Sequence, residues 1–259
     1  MTENYRDRAI VVRRHDLGEA DRIIVLFTRG HGLVRAVAKG VRRAKSRFGS
    51  RLAPFVDIDA QIYPGRGNLG TITGADAIRT WAAPIVDDYA RYTCACGVLE
   101  TAERLAGEEG EPAPGLWDLT VGTLGKLAES DDDRRPPGLL LTAYLLKAMG
   151  EAGWEPSLFD CAQCGKPGPH KAFHPATGGA VCVECRPPGA ATPPTEVLRL
   201  MWWLAHDRWD AVDAVTDRRE LRALGAQARG LATAHLQWHV GRKISALHLV
   251  DARWGTGGG

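Results

Sequence analysis

The sequence predicts an α+β protein with several domains: an N-terminal five-stranded barrel, then an α-helical domain that carries an inserted four-cysteine module. Three observations support this prediction. Short β-rich segments fill the first 80 residues, helical periodicity follows, and two C-x-x-C pairs interrupt the helices. The length of 259 residues and the hydrophobic fraction of 44% are sufficient for more than one buried core.

A domain boundary is predicted near residue 80, where charge and aromatic content both change. Residues 1–80 contain 15 Lys and Arg against 8 Asp and Glu, whereas residues 81–259 contain 18 against 23. All eight tryptophans lie at or after Trp81. Such shifts in composition are typical of separate modules. The predicted domains are the barrel at 1–80, the helical domain at 81–156 and 191–259, and the cysteine module at 157–190.

Five short strands are predicted in the N-terminal module. They are residues 9–13, 22–28, 33–38, 55–63 and 69–78. The first three are rich in β-branched residues, and the fourth alternates apolar and polar residues, as a half-buried strand does. Five strands in so short a segment suit a small closed barrel. An OB-fold is one candidate, and an SH3-like barrel fits the pattern nearly as well.

A basic strip runs through this module. Between Arg22 and Val56 the sequence has nine Lys and Arg residues and no Asp or Glu. Such residues neutralise nucleic-acid phosphates without base-specific geometry. The predicted phosphate contacts are Arg22, Arg35, Lys39, Arg42, Arg43, Lys45, Arg47 and Arg51. These eight residues and Arg29 form the basic strip, and residues 39–51, rich in Gly and Ser, form the basic loop. The alternative is a solvated charged loop without a ligand.

Phe48, inside the basic loop, has two interpretations. Its ring could stack on a nucleobase, or it could anchor the loop in the barrel core. We favour the anchor.

Helical periodicity replaces strand periodicity after residue 80. The predicted helices are 88–106, 116–129, 137–152, 195–209 and 217–240. The helix at 137–152 is apolar on nearly every side, so it is predicted to be the central helix. Cys94 and Cys96 stand two residues apart on a predicted helix and point in different directions, so they are interpreted as packing residues.

The most specific motif is a pair of C-x-x-C sequences, Cys161–Cys164 and Cys182–Cys185, with 17 residues between them. Two residues between thiolates let both reach one ion from a tight turn, and two such turns complete a tetrahedral site. The sequence therefore predicts one structural Zn²⁺ held by Cys161, Cys164, Cys182 and Cys185. A short hairpin is predicted between the pairs.

Other uses of these cysteines are disfavoured. Structural disulfides accompany secretion, which nothing in the sequence suggests, and a redox dithiol needs a βαβ context. A catalytic zinc leaves a ligand position for water, whereas four thiolates close the site. Nucleobase deaminases need an H-x-E motif, which neither His170 nor His174 provides. One of these histidines replacing a cysteine as ligand remains an alternative.

Several functions lack their sequence signatures. The chain has no G-x-x-x-x-G-K-S/T phosphate loop, no G-x-S-x-G elbow and no Rossmann glycine pattern. We therefore expect no nucleotide cofactor and no enzymatic activity. No stretch approaches 18 consecutive apolar residues, and the N-terminus lacks an apolar signal-peptide core. We expect a cytoplasmic protein without membrane contact.

Five segments together resemble the RecO family of bacterial recombination mediators. They are Leu17–Arg22, Phe27–Leu33, Ala38–Phe48, Gly150–Pro156 and His239–Lys243. The resemblance extends over nearly the whole chain, and the first three segments in combination are specific. Some members of the family have lost the zinc cysteines, whereas this chain has all four.

The resemblance implies more than composition does. RecO-like proteins have an N-terminal OB-fold and a helical domain with an inserted zinc module. They bind single- and double-stranded DNA, anneal complementary strands without ATP and work with RecR at the nucleoid. They also recognise the C-terminal tail of single-stranded DNA-binding protein (SSB) and help to load recombinase on coated strands. Arg242 and Lys243 are suggested as partners of the tail carboxylates, from charge and position alone.

Two hypotheses of different class follow. The first is a non-enzymatic DNA-binding and annealing protein of recombinational repair. The second is a zinc-containing adaptor that recruits proteins and contacts DNA incidentally, which the acidic balance after residue 80 partly supports. A zinc hydrolase is a third and weaker hypothesis.

Overall fold

The computed structural model describes residues 4–65, 67–130 and 135–252, and only the backbone of residues 251 and 252. The chain divides into two compact units, Met1–Ala95 with Leu99–Ala128, and Cys96–Val98 with Glu129–Gly259. The ends of the predicted domains 1–80 and 191–259, at residues 1–3 and 253–259, lie outside the described residues. The domain boundaries near residues 80, 156 and 190 stay predictions.

Five strands close into a barrel in the first unit. They are β1 (Tyr5–Leu17), β2 (Asp21–Thr28), β3 (Gly32–Ala38), β4 (Val56–Tyr63) and β5 (Leu69–Thr80). Their order around the barrel is β1-β2-β3-β5-β4, and β1 pairs with β4 to close it. Neighbours run antiparallel except β3 and β5, which are parallel. The five-stranded barrel predicted from the sequence is confirmed.

Alternate strand residues fill the barrel, as the period of two predicts. On β4 the residues Ile58, Ala60 and Ile62 point inward and are at most 1% exposed. Phe48 of the basic loop is 1% exposed and packs in the same core. The ring therefore anchors the loop, which confirms the favoured interpretation and makes base stacking by Phe48 wrong. Burying an aromatic side chain of this size fixes the middle of an otherwise polar loop.

Three helices complete the first unit: α1 (Ala82–Val86), α2 (Tyr89–Leu105, apart from residues 96–98) and α3 (Pro114–Ala128). Buried Trp117 on α3 donates its indole N–H to the carbonyl of Phe27, with an N–O distance of 3.3 Å. The guanidinium of Arg8 lies 4.9 Å from the Trp117 ring centroid and pairs with Asp57, whose side chain is fully buried. These contacts hold α3 against β1, β2 and β4.

In the second unit, the described residues form five helices of their own. They are α4 (Pro137–Glu151), α5 (Thr195–Ala205), α6 (Trp209–Asp213), α7 (Arg218–Val240) and α8 (Ser245–Ala252). Eleven residues of α4 are buried, so the central helix is confirmed. The predicted helix 195–209 is wrong in extent. It ends at Ala205 because Asp207 adopts a left-handed φ of 55°, and α6 starts afresh at Trp209. Within the described residues, no helix is long and apolar enough to cross a membrane.

The cysteine module lies between α4 and α5 in sequence. Its two strands, β6 (Ala172–His174) and β7 (Gly179–Val181), form the predicted antiparallel hairpin. Phe173 of β6 is fully buried and meets the ring of His235 on α7 edge-on, at a centroid distance of 5.9 Å. The hairpin is thereby packed on the longest helix of the unit.

Candidate metal centre and nucleic-acid interface

The four predicted ligands come together in space. The sulfurs of Cys161, Cys164, Cys182 and Cys185 all lie within 4.8 Å of one another, and Cys164 Sγ is 3.9 Å from Cys182 Sγ. Around a tetrahedral zinc with Zn–S bonds of about 2.3 Å, neighbouring sulfurs stand about 3.8 Å apart. The four-cysteine cluster can therefore hold a metal ion, and its size and donor type fit zinc.

Local backbone geometry places these sulfurs. The amide of Gly165 donates to the carbonyl of Cys161 at 2.8 Å, and the amide of Cys161 donates to that of Lys166 at 2.9 Å. Gly165 has a φ of +72°, a conformation that glycine adopts without steric penalty. The amide of Ala162 donates to the carbonyl of Ala180 on β7 at 2.8 Å. This bond joins the turn of the first C-x-x-C pair to the hairpin, and the second pair directly follows the hairpin.

The electrostatics of the cluster favour a bound cation. The amide of Cys182 donates to Cys161 Sγ at 3.4 Å and, with the amides of Cys164 and Gln163, lowers the pKa of Cys161 to about 6. The neighbouring sulfurs of Cys182 and Cys164 raise the pKa of Cys185 to about 12. The thiolate of Cys161 is thus stabilised by amide hydrogen bonds. The thiolate of Cys185 is disfavoured, because negatively charged sulfurs this close repel one another. A divalent cation removes that repulsion.

The alternative histidine ligands have other partners. A ring nitrogen of His170 lies 2.8 Å from the carbonyl oxygen of Lys166, and one of His174 lies 2.7 Å from the hydroxyl of Thr177. The metal-ligand cluster found in the described part of the chain consists of the four cysteines without a histidine. Cys94 and Cys96 are not part of this cluster; they lie on α2, buried and half-buried.

The three arginines of the basic strip that lie outside the basic loop are paired with carboxylates. Arg22 bonds Asp16 at 2.8 Å, and Arg29 bonds both carboxylate oxygens of Asp118 at 3.0 Å. The guanidinium of Arg29 lowers the pKa of Asp118, so this carboxylate stays ionised. Arg35 on β3 pairs with Glu109. These three arginines already have counter-charges within the chain.

The basic loop differs, because most of its cations face solvent. Arg42 contacts the carbonyl of Gly18 at 3.0 Å and Asp16 at 3.5 Å. The other five are exposed, and no carboxylate of the described residues forms an ion pair with them. They are Lys39, Arg43, Lys45, Arg47 and Arg51. Their positive charge is available to an external anion.

Two contacts stiffen this loop. The Arg47 guanidinium carbon lies 4.8 Å from the centroid of the buried Phe48 ring, and Arg51 donates to the carbonyl of Arg47 at 3.0 Å. Two cations are thereby held over the point where the loop is anchored. Arg43 and Lys45 project from the turns between β3 and this anchor.

Arg242 and Lys243, the suggested partner residues, are exposed in the turn between α7 and α8. The turn follows Gly241, whose φ of +69° ends α7. Among the residues that the structure describes, nothing around them distinguishes them as a binding site.

Sequence reasoning missed the carboxylates that pair with the strip. The Asp16–Arg22 pair could have been predicted from the sequence, because the two residues face each other across the β1–β2 hairpin. Glu109 and Asp118 carry no such signal, since each lies more than 70 positions from its arginine. Only the folded chain brings them together.

The chain matches models of a known family in two adjacent parts. Residues 1–81 match the description "Recombination protein O N terminal", and residues 86–248 match "Recombination protein O C terminal". Together they cover nearly the whole chain, which confirms the resemblance and the OB-fold assignment of the barrel. Members of this family are mediators of recombinational DNA repair and are generally not enzymes. On this evidence the chain belongs to the RecO family.

Proposed function

We propose that this protein binds the phosphates of single-stranded DNA through the basic loop and accelerates the annealing of complementary strands without a nucleotide cofactor. The observation that carries the proposal is the set of five exposed loop cations that have no carboxylate partner in the described residues. Bound cations released from DNA provide the free energy when Lys and Arg take their place.

The geometry supports annealing as the outcome of binding. Two single strands repel each other through their phosphates, and a shared cationic loop lowers that repulsion. Because Phe48 is buried, contacts from the loop are to phosphates, and the bases stay free to pair. No energy from nucleotide hydrolysis is needed for a step in which base pairing itself is favourable.

The remaining elements of the proposal come from the family. We infer one structural Zn²⁺ in the cysteine module and partnership with RecR. We infer binding to double-stranded DNA and to the SSB tail, with Arg242 and Lys243 as candidate tail contacts, and assistance in loading recombinase on SSB-coated strands at the nucleoid. Exposure and positive charge support the assignment of Arg242 and Lys243.

The salt dependence of binding tests the loop assignment. Five phosphate contacts predict a slope of about −3.5 in a plot of log affinity against log salt concentration for single strands. Affinity for an oligo-dT of 20 nucleotides should then fall about 100-fold between 50 and 200 mM NaCl. Fluorescence anisotropy measures it. A slope near zero would contradict phosphate binding by the loop.

One observation favours the adaptor as a second candidate. A cavity of about 490 Å³ lies between the cysteine module and α5, and its lining includes the apolar residues Phe159, Leu198 and Trp202. Phe159 and Trp202 are partly exposed there. Exposed apolar surface of this kind often contacts other proteins. Partner binding that survives while annealing is absent would favour this candidate.

A further inference from the structure

The segment Gly107–Glu111, here called the acidic segment, lies against the start of β3. The amide of Gly110 donates to the carbonyl of Leu33 at 3.1 Å, and Glu109 forms isolated β-bridges with Gly32 and Leu33. The approach is close, because a Cβ atom on Gly32 would stand 1.9 Å from the carbonyl oxygen of Glu111. Main-chain contacts alone thus hold the acidic segment against the barrel.

This pairing positions a carboxylate on the basic strip. Glu109 pairs with Arg35, and its side chain is 25% exposed, whereas that of Arg35 is 59% exposed. Since the backbone of Glu109 is already held, the pair loses little conformational freedom when it forms. The same arrangement recurs nearby, where Glu103 bonds Arg13 at 2.8 Å and Asp118 bonds Arg29. Carboxylates from residues 103–118 thus neutralise three arginines of the barrel.

A carboxylate on an arginine occupies the position that a phosphate would take. Both anions bind the guanidinium through two oxygens in one plane. An exposed ion pair is weak, because water solvates both partners. A phosphate that binds Arg35 must nevertheless replace Glu109, and the lost ion pair offsets the gain from released counterions. Until that exchange occurs, Arg35 contributes no net attraction to DNA.

We propose that the acidic segment is an internal phosphate mimic, in which Glu109 masks Arg35 and limits the DNA footprint to the basic loop. This inference rests on the proposed function, because it concerns the size of the same binding site. Loss of the Glu109 charge unmasks Arg35 and adds one phosphate contact to the five of the loop.

The test is oligo-dT binding by the full chain with Glu109→Gln, compared with Glu108→Gln. Both substitutions change the net charge equally, and Glu108 is exposed without an ion pair among the described residues. Glu109→Gln is expected to steepen the slope from about −3.5 to about −4.2 and to raise affinity about fivefold at 0.1 M salt. Glu108→Gln should change affinity less than about twofold and leave the slope as it is.

A second comparison assigns the gain to Arg35. Arg35→Gln should cost about fivefold in affinity in the Glu109→Gln background and clearly less in the otherwise unchanged chain. Equal slopes for Glu109→Gln and Glu108→Gln would overturn the mimic and leave the loop assignment standing. A salt slope near zero for the unchanged chain would instead contradict the proposed function itself. The two negative results are therefore distinguishable.

Discussion

Charge reversal of three loop residues, Lys39→Glu, Arg43→Glu and Lys45→Glu together, is expected to lower affinity for single-stranded DNA by about 100-fold or more at 0.1 M salt. Each phosphate contact contributes about fivefold at this salt concentration, and three contacts are lost. The salt slope should fall from about −3.5 to about −1.4. Added repulsion from the new carboxylates makes the estimate a minimum.

These three residues were chosen because replacing them should leave the fold intact. All three are exposed, whereas Arg47 and Arg51 take part in the contacts around the Phe48 anchor. A control variant reverses three exposed cations elsewhere, Lys126, Arg199 and Arg219, and has the same net charge. The control should retain affinity within a few-fold. Equal losses in both variants would show that net charge, and not the loop, governs binding.

We expect the unchanged protein to hold one zinc ion per chain and Cys161→Ser to lose it. The three remaining sulfurs leave the tetrahedron open, and metal binding at such sites is folding free energy, about 10–16 kcal/mol in zinc-finger peptides. The hairpin around Phe173 then loses the anchor that keeps it packed on α7. The thermal unfolding midpoint should fall by about 10 °C or more.

Elemental analysis and calorimetry measure both effects. Cys96→Ser is the matched control, since it removes a half-buried thiol from α2 and touches no predicted ligand. It should keep one zinc per chain. A full complement of zinc in Cys161→Ser, or none in the unchanged protein, would refute the four-cysteine site.

Local patterns were sufficient to predict the five barrel strands, the longer helices and the clustering of the four cysteines, whereas the short helices α1 and α8 were not predicted. Strand alternation predicted the barrel, and the spacing of Cys161, Cys164, Cys182 and Cys185 predicted the cluster, because both depend on residues close in sequence. The break after Ala205 escaped prediction, since it depends on one left-handed residue, Asp207, in an otherwise helical pattern.

Charge patterns in sequence were less informative about the interface. Nine basic residues without an acidic one suggested a uniformly basic strip. The fold brings Asp118 and Glu109 to two of them from distant positions. Asp16 contacts Arg22 and Arg42. Among the described residues, the other five cations of the basic loop have no carboxylate partner. Whether a charged side chain is paired depends on its neighbours in the folded chain. The order of residues in the sequence does not show those neighbours.

The most direct test of the proposed function is the annealing of two complementary oligonucleotides, bare and SSB-coated, without any nucleotide cofactor. We expect the protein to accelerate both reactions and the triple loop variant to accelerate neither. Acceleration of bare strands alone would contradict the SSB partnership. No acceleration of either pair would contradict the proposed annealing activity and favour the adaptor, with the family membership unaffected.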